Sequence, residues 1–348
     1  LEGFIDNAFK RKDILGLDIG TTSVKFAQLK NSGSLTKLIG YGMLSVPDNI
    51  IIEGVISEPE ALAKILLDTF KAPPWGKITA KRVIASLPES KVFNRILEFP
   101  SLSEKDLVEA VKFEVDQSIP IPASDLYVDW QIIGETKDKY EIFLSAAPRA
   151  IVDSYIQLFK SLDLEPLSLE LSMAAIARSM VSNKNKREPV VILDLGGTSS
   201  NLAVVDETLR ITESHPVGGK TVRDSLVNTL GLSEKKADDA IDAGIKTDSE
   251  SAKVIKEELD KAISEISNIV SYYSERNPNS KISKVLICGG LGYMKGLTDY
   301  IKEKSGLDCQ VGNPWVNISI YPLKPVPKNE ASEYAAAVGL CLRGLEND

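Results

Sequence analysis

Asp18, Gly20, Thr21, Thr22 and Lys25 fall within one short stretch, Asp18-Ile19-Gly20-Thr21-Thr22-Ser23-Val24-Lys25. Their types suit a phosphate and a divalent cation. Glycine at position 20 opens backbone conformations closed to other residues, so successive N–H groups converge on one point. Such a nest binds an anion, and Thr21, Thr22 and Ser23 add hydroxyl donors. Asp18 then stands where a carboxylate holds Mg²⁺, directly or through water, beside that phosphate. For this stretch alone, an ordinary hairpin turn with a surface aspartate is the alternative. A second copy favours the phosphate reading. Val190-Val191-Ile192-Leu193-Asp194-Leu195-Gly196-Gly197-Thr198 has the same grammar of apolar run, Asp, Gly and Thr. Two such turns facing each other clamp a polyphosphate from both sides.

Both turns must be held by strands. Ile14 to Leu17 is apolar and leads to Asp18, and Val24 to Leu29 alternates, which predicts a β-hairpin. Asn201 to Val205 plays the same part after the second turn. A P-loop or a dinucleotide fold would follow its glycine turn with a helix, and neither turn here does. Two further glycine pairs stand out. Gly218-Gly219-Lys220 opens a helix carrying Val222, Leu226 and Leu230, and a helix N-terminus is a ready contact for phosphate or ribose; a plain helix cap is the alternative. Gly289-Gly290-Leu291-Gly292 follows the buried strand Lys284 to Cys288, where glycine lets backbone approach a flat ring.

Composition narrows the classes. The chain has 348 residues, 43% hydrophobic and 26% charged, an ordinary globular balance with room for two domains. A net charge of -8 and the lack of a basic run argue against a nucleic-acid binder. No apolar run is long enough to span a bilayer, and no signal peptide is visible. Leu1, Phe4, Ile5, Ala8 and Phe9 ahead of Lys10-Arg11-Lys12 form a short amphipathic segment, read as a frayed helix or packing segment rather than a membrane anchor. Cys288, Cys309 and Cys341 are widely spaced, which suggests a reducing compartment and no zinc site. His215, the sole histidine, excludes a multi-histidine metal centre and reads as structural.

Between the two clamp motifs, Glu58 to Phe70 reads as a helix ended by Pro73-Pro74, and Arg82 to Leu87 as a strand. Pro88 to Glu165 reads as an inserted α/β unit. In it, a strand from Val92 to Phe99 precedes a helix capped by Ser103-Glu104-Lys105-Asp106. A hairpin over Leu126–Ile133 and Tyr140–Ala146 follows, and a helix from Arg149 to Leu162 closes the unit. It holds no catalytic cluster and reads as a binding or assembly module. Leu167 to Met180 leads into a helix, and Asn183 to Glu188 is a polar link. A helix spans Ser233 to Ala243, one long amphipathic helix runs from Ser251 to about Glu275, and Glu330 to Arg343 is a final alanine-rich helix.

In their order, these motifs resemble the actin-like ATPase superfamily. Gly16 to Lys25 resembles its first phosphate motif, Ile192 to Val205 the second, Val285 to Leu297 the adenosine motif, and Glu333 to Gly344 the last connecting helix. Within it, Arg82-Val-Ile-Ala-Ser-Leu-Pro, Phe99-Pro-Ser-Leu-Ser-Glu-Lys-Asp-Leu, Ile119-Pro-Ile-Pro and Ala146-Ala-Pro-Arg-Ala-Ile-Val-Asp-Ser-Tyr resemble the PilM family of type IV pilus assembly. FtsA carries an insert at the same place, but its cell-division members end in a membrane-targeting helix, and this sequence stops at Leu345-Glu-Asn-Asp.

The resemblance implies an α/β, two-domain actin-like (ribonuclease H-like, duplicated) fold. Domain I would take residues 1–180 and 330–348, with the inserted subdomain at about 88–165, and domain II residues 181–329. It implies ATP or ADP with Mg²⁺ in the cleft. Asp18 and Asp194 would position the metal; Gly20, Thr21, Thr22, Lys25, Gly196, Gly197 and Thr198 would hold phosphates; and Gly218, Gly219, Lys220, Gly289, Gly290 and Gly292 would line the rest. Glu170 resembles the chaperones' water-positioning glutamate and, with Asp194, is the catalytic candidate. Ile241 stands where relatives often carry a lysine near the nucleoside. Chemistry would be at most a slow Mg-dependent ATPase.

As implied partner, the resemblance names the cytoplasmic N-terminal tail of a PilN-like membrane protein, in a groove between the first domain and the inserted module. Other pilus proteins, including assembly ATPases, and self-association are further implied contacts. The implied location is cytoplasmic, at the inner face of the inner membrane. An FtsA-like division protein and a small-molecule kinase of the same superfamily are the alternatives. The kinase would need a substrate base and a sugar-sized polar pocket, and no Asp/Asn/Trp cluster of that kind appears between Pro88 and Glu165.

Overall fold

A computed structural model of the chain describes residues 13–32, 35–182, 188–323 and 328–346. The amphipathic segment at residues 1–12 and the polar link at 183–187 lie outside the described residues.

The chain opens with β1 (Asp13–Ile19), β2 (Ser23–Ser32) and β3 (Leu35–Ser45), a small hairpin β4 (Ile51–Ile52) and β5 (Val55–Ile56), and α1 (Pro59–Lys71). It continues through β6 (Trp75–Gly76), β7 (Arg82–Leu87), β8 (Phe93–Pro100), α2 (Glu104–Ser118), β9 (Leu126–Glu135), β10 (Lys139–Pro148), α3 (Arg149–Ser161), β11 (Glu165–Leu171) and α4 (Ser172–Met180). The remainder carries β12 (Val190–Leu195), β13 (Ser200–Asp206), β14 (Thr208–His215), α5 (Gly219–Leu230), α6 (Glu234–Ala243), α7 (Glu250–Ile263), α8 (Glu265–Arg276), β15 (Lys284–Cys288), α9 (Leu297–Ser305), β16 (Asp308–Val311), α10 (Lys328–Ala331) and α11 (Ala335–Glu346).

Two sheets share one plan. The first runs β11-β7-β1-β2-β3-β6 and the second β14-β13-β12-β15-β16. In each, three consecutive strands form an antiparallel meander, β1-β2-β3 or β12-β13-β14. Two parallel strands then join beside the first of them, β7 and β11 or β15 and β16. The irregularity recurs as well: a register shift falls at Gln28/Leu29 between β2 and β3, and at Val204/Val205 between β13 and β14. Such a shift bends the strand and strengthens its twist.

The central strands β1 and β12 are buried on both faces, which explains why Ile14–Leu17 and Val190–Leu193 are unbroken apolar runs. Helices α4 and α11 form a seam between the sheets. Ala175 and Ala337 pack with Ile14, Ala27 and Ile84 of the first sheet. Met173, Ile176, Ala335 and Ala336 pack with Ile192, Ala203 and Val205 of the second. Small residues make this approach feasible: a Cβ on Gly339 would stand 1.7 Å from the Ala175 carbonyl oxygen, and one on Gly16 2.1 Å from that of Ala337.

The insertion has a sheet of its own, β8-β10-β9, and its own core, in which Leu107, Val111 and Val115 of α2 meet Ile142, Leu144 and Ala146. The N-cap serine read from the sequence is present, since Ser103 Oγ accepts from the Asp106 amide. Helix α3 packs elsewhere. Its Ile151, Tyr155, Leu158 and Phe159 belong to the core of the first sheet, with Leu15, Leu17 and Val83.

Two elements differ from the sequence reading. Glu165–Leu171 is an edge strand parallel to β7, so only Ser172–Met180 of the stretch read as leading into a helix is helical. The single long helix expected from Ser251 is split at Ser264 into α7 and α8. There the Ser264 hydroxyl donates to the Asp260 carbonyl at 2.7 Å, the local bond by which serine competes inside a helix.

Candidate functional site

The two glycine turns are built alike. Gly20 N donates to Ser23 O at 3.0 Å, and Gly196 N donates to Ser199 O at 3.0 Å. The aspartates lie at equivalent places before them, and each has a fixed cross-strand partner seven residues on: Asp18 opposite Lys25, and Asp194 opposite Asn201. The turns meet. Thr21 Oγ1 and Thr198 Oγ1 are 3.0 Å apart, and a Cβ on Gly197 would lie 2.4 Å from Thr22 Oγ1.

Behind the turns the two carboxylates share one environment. Ser86 Oγ, at the end of β7, donates to Asp18 Oδ1 at 2.7 Å. Asn201 Nδ2 donates to Asp194 Oδ2 at 3.3 Å, and the Cys288 thiol lies 3.6 Å from Oδ1. Burial, followed by the charge of Asp18, holds the Asp194 carboxyl above the usual carboxylate range, while Lys25, Asn201 and Cys288 act in the other direction. Lys25 also faces Glu333, just ahead of α11. Burial raises that carboxyl, and Lys25 and the Tyr293 hydroxyl offset part of the rise. Burial pushes the Cys288 thiol well above its ordinary value, with Asp194 adding to it.

The glycines after β15 and before α5 play different parts. Gly289 has φ +81°, and a Cβ there would press to 2.4 Å from Leu195 O and 2.6 Å from Asp194 Oδ1. Gly292 N closes a turn on Gly289 O, and Leu291 N donates to Leu195 O. Gly290 faces open space. Gly218 lies on the second turn, with its Cβ position 2.7 Å from the Gly197 carbonyl carbon. The amides of Gly219 and Lys220 donate to Gly196 O at 3.0 Å and Gly197 O at 2.8 Å. The first two N–H groups of α5 therefore bond to the second turn. The Lys220 residue is exposed.

Glu170 also departs from expectation. Its carboxylate is buried and engaged by two arginines from the seam: Arg178 donates to Oε1 at 2.7 Å and to Oε2 at 3.1 Å, and Arg343 donates to Oε2 at 3.0 Å. The same Arg178 donates to Gly339 O. Glu170 ties β11, α4 and α11 together and does not present a free carboxylate to the turns. Ile241 packs half-buried against the second core.

Sequence reasoning missed Ser86, Asn201, Glu89 and Glu333. Asn201 was legible as the counterpart of Lys25 at equal spacing. Ser86 depends on the parallel pairing of β1 with β7, which carries no local signal. Glu89 sits on the turn before β8, with Oε2 accepting from Ser172 Oγ and Met173 N at 3.3 Å and Oε1 buried without a partner. Burial is the main cause raising its carboxyl to about 7, and Asp194 adds to it.

The sequence matches the family model described as type IV pilus assembly protein PilM over residues 16–345. The chain belongs to the PilM family. Three solved structures set that family in its fold. A PilM-PilN type IV pilus biogenesis complex is similar with a TM-score of 0.81 at 20% identity, over 95% of this chain and 98% of that chain. Ethanolamine utilization protein EutJ from Carboxydothermus hydrogenoformans gives 0.60 at 13% identity, over 95% and 89%. MreB5 of Spiroplasma citri, in a structure bound to AMPPNP, gives 0.53 at 15% identity, over 97% and 99%. The PilM family member described here thus has an actin-like ATPase fold, of mixed α/β type with two sheet-containing halves. Among the described residues no helix is long and apolar enough to cross a membrane.

Proposed function

We propose that this PilM-family chain is a nucleotide-dependent scaffold of a pilus assembly platform, holding ATP or ADP with Mg²⁺ between its two glycine turns. The observation that carries the proposal is the pair of equivalent turns, 3.0 Å apart at Thr21 and Thr198, each backed by an aspartate.

The residues fit the group. Burial and the charge of Asp18 act against the charged form of Asp194, and a cation at that carboxylate would relieve both. Among the described residues no three His, Cys, Asp or Glu side chains converge as a metal-binding group. That suits Mg²⁺, which takes one or two carboxylates and completes its shell with phosphate oxygens and water. Asp18 and Asp194 would hold the metal. Gly20, Thr21, Thr22, Gly196, Gly197 and Thr198 would meet phosphates through amides and hydroxyls, with Lys25 as the adjacent positive charge. Gly290, facing open space, leaves room for the nucleoside. A bound Mg-nucleotide supplies a polyphosphate bridge between the halves, and the turns on each half supply its donors.

Hydrolysis is expected to be slow. The carboxylate expected to position water, Glu170, is held by Arg178 and Arg343. In this reading nucleotide shifts the population of lobe arrangements and is retained rather than turned over. The partner proposed for the inserted module is the N-terminal cytoplasmic tail of a PilN-like membrane protein, on the likeness to the PilM-PilN complex. Apolar Tyr127, Val128 and Ile132 are exposed on β9, an edge strand able to accept an extended peptide. Residues 181–329 would form the second domain, the inserted module a subdomain of the first.

The test is single-turnover ATP chemistry with Mg²⁺ on the wild type and on Asp18→Ala, with capture of a synthetic tail peptide in parallel. Retention of intact ATP, lost in Asp18→Ala, supports the scaffold. Rapid release of γ-phosphate, accelerated by an added sugar, overturns it in favour of a kinase.

A further inference from the structure

Strand β14 touches three parts of the molecule along its length. Leu209 packs against both the first-sheet core and the seam. The Arg210 guanidinium comes within 4.0 Å of Glu141 Oε2 on β10 of the inserted module. The Thr212 hydroxyl lies at Glu89, where its hydrogen bonding favours that group's charged form against the effect of burial. Glu89 opens the short turn Glu89–Lys91 that leads into β8, the first strand of the module.

The far end of β14 lies at the cleft. Ser214 pairs with Asn201, the residue bonded to Asp194, and His215 pairs with Ser200. Val217 O accepts from Ser200 Oγ at 2.6 Å, and Gly218 lies on the second glycine turn with no space for a Cβ. From Arg210 to His215 the strand spans about 17 Å, hydrogen-bonded to β13. A strand held to a sheet moves with that sheet. Any displacement of the second turn relative to the first therefore moves Arg210 and Thr212 against Glu141 and Glu89.

We infer that β14 is the lever through which the state of the cleft reaches the inserted module, with Arg210–Glu141 and Thr212–Glu89 as its two contacts there. The inference rests on the reading that the cleft binds Mg-nucleotide. A hydrogen bond to a buried carboxyl group is costly to lose. Thr212 brings its hydroxyl to Glu89 from the second sheet, so a displacement of that sheet changes the bond at the turn that leads into β8. Both module contacts lie away from the glycine turns, so they can be altered without touching the phosphate donors.

The experiment is amide hydrogen exchange on the full chain, with and without Mg-ADP, for the wild type, Arg210→Gln, Thr212→Val and the double variant. Nucleotide affinity is measured separately with a fluorescent ADP. The expected result is a change of fivefold or more, on the order resolvable by exchange, in the protection of β8 and β10 on adding Mg-ADP to the wild type. The double variant should bind within about twofold of the wild type and lose most of that change, and Thr212→Ser should restore it. Arg210→Gln alone, a change at a partly exposed side chain, serves if the double variant does not fold. Binding with an undiminished module response in the variants overturns the lever alone, as does wild-type binding with no module response. No nucleotide binding by the wild type overturns the cleft reading and the lever together.

Discussion

Thr21 Oγ1 stands 3.0 Å from Thr198 Oγ1, so two turns separated by 177 positions share one hydroxyl contact at the mouth of the cleft. Beside it, the Cβ position of Gly197 is 2.4 Å from Thr22 Oγ1, so a methyl group there displaces the Thr22 side chain. Gly197→Ala should therefore move the Thr22 hydroxyl away from the phosphate site. Affinity for Mg-ADP is expected to fall about tenfold, equivalent to about 1.4 kcal/mol, with little change in melting temperature without ligand. Calorimetric titration checks this, and unchanged affinity would sink the facing-turn clamp.

Removal of the metal or of its carboxylates should have one thermal signature. Ligand at about a hundred times its dissociation constant stabilises the folded state by about 2.7 kcal/mol. The wild type should show an upward shift in melting temperature with Mg-ADP, shrinking on addition of EDTA. Asp18→Ala and Asp194→Asn should show little shift in either condition. A full shift in both variants would rule out these aspartates as the metal's holders.

Glu170 gives a contrast between two roles. If it fixes the seam, Glu170→Gln strips the charge facing Arg178 and Arg343, and a loss of about 2–4 kcal/mol is expected, reduced from the fully buried case because Arg343 is 42% exposed. Urea unfolding should report that loss while Mg-ADP affinity stays within about twofold. Unchanged stability with a collapse in ATP turnover would instead make Glu170 the water-positioning group.

Glu89 should make stability pH-dependent. Its carboxyl is raised from 4.5 to about 7, chiefly by burial. The folded chain thus keeps a proton that the unfolded chain releases, and its stabilising effect is lost as pH rises through about 7. The total is on the order of 3 kcal/mol at most. Asp194, shifted the same way, adds a slope of equal sign. Unfolding measured at pH 5.5 and pH 8 should show the wild type weakening, and Glu89→Gln should weaken less. Identical slopes would show that Glu89 is charged in the fold at both pH values.

At the seam, Gly339→Ala should be among the more damaging small changes, because its Cβ position is 1.7 Å from a backbone oxygen of α4 that cannot swing away. The cost is expected to be at least about 2–3 kcal/mol, as for overpacking in a tight core. A melting temperature within a degree of the wild type would mean that α11 shifts freely on the seam.

Much of the site was legible locally. A hairpin's register follows from its turn, so the spacing from Asp18 to Lys25 carries their pairing, and the same spacing carries that of Asp194 with Asn201, although Asn201 was not picked out from it. Buried central strands announce themselves as apolar runs. Strand β11 was not legible, because at the sheet edge its Glu165, Pro166 and Leu167 are exposed and carry no alternation. The break at Ser264 was hidden as well, since the hydrophobic spacing continues across it from Ile263 to Ile266.

By itself the sequence determined the two glycine turns with their hairpins, their aspartates and the presence of an inserted unit, because turn chemistry and hydrophobic period act over a few residues. The tertiary structure alone decided which donors and carboxylates remain free. Arg343 reaches Glu170 across 173 positions, the carbonyls of Gly196 and Gly197 take the first amides of α5, and β14 lies against the module. Those are contacts between surfaces brought together by packing, and each side chain's bonding depends on which partner the packed fold sets within about 3 Å of it.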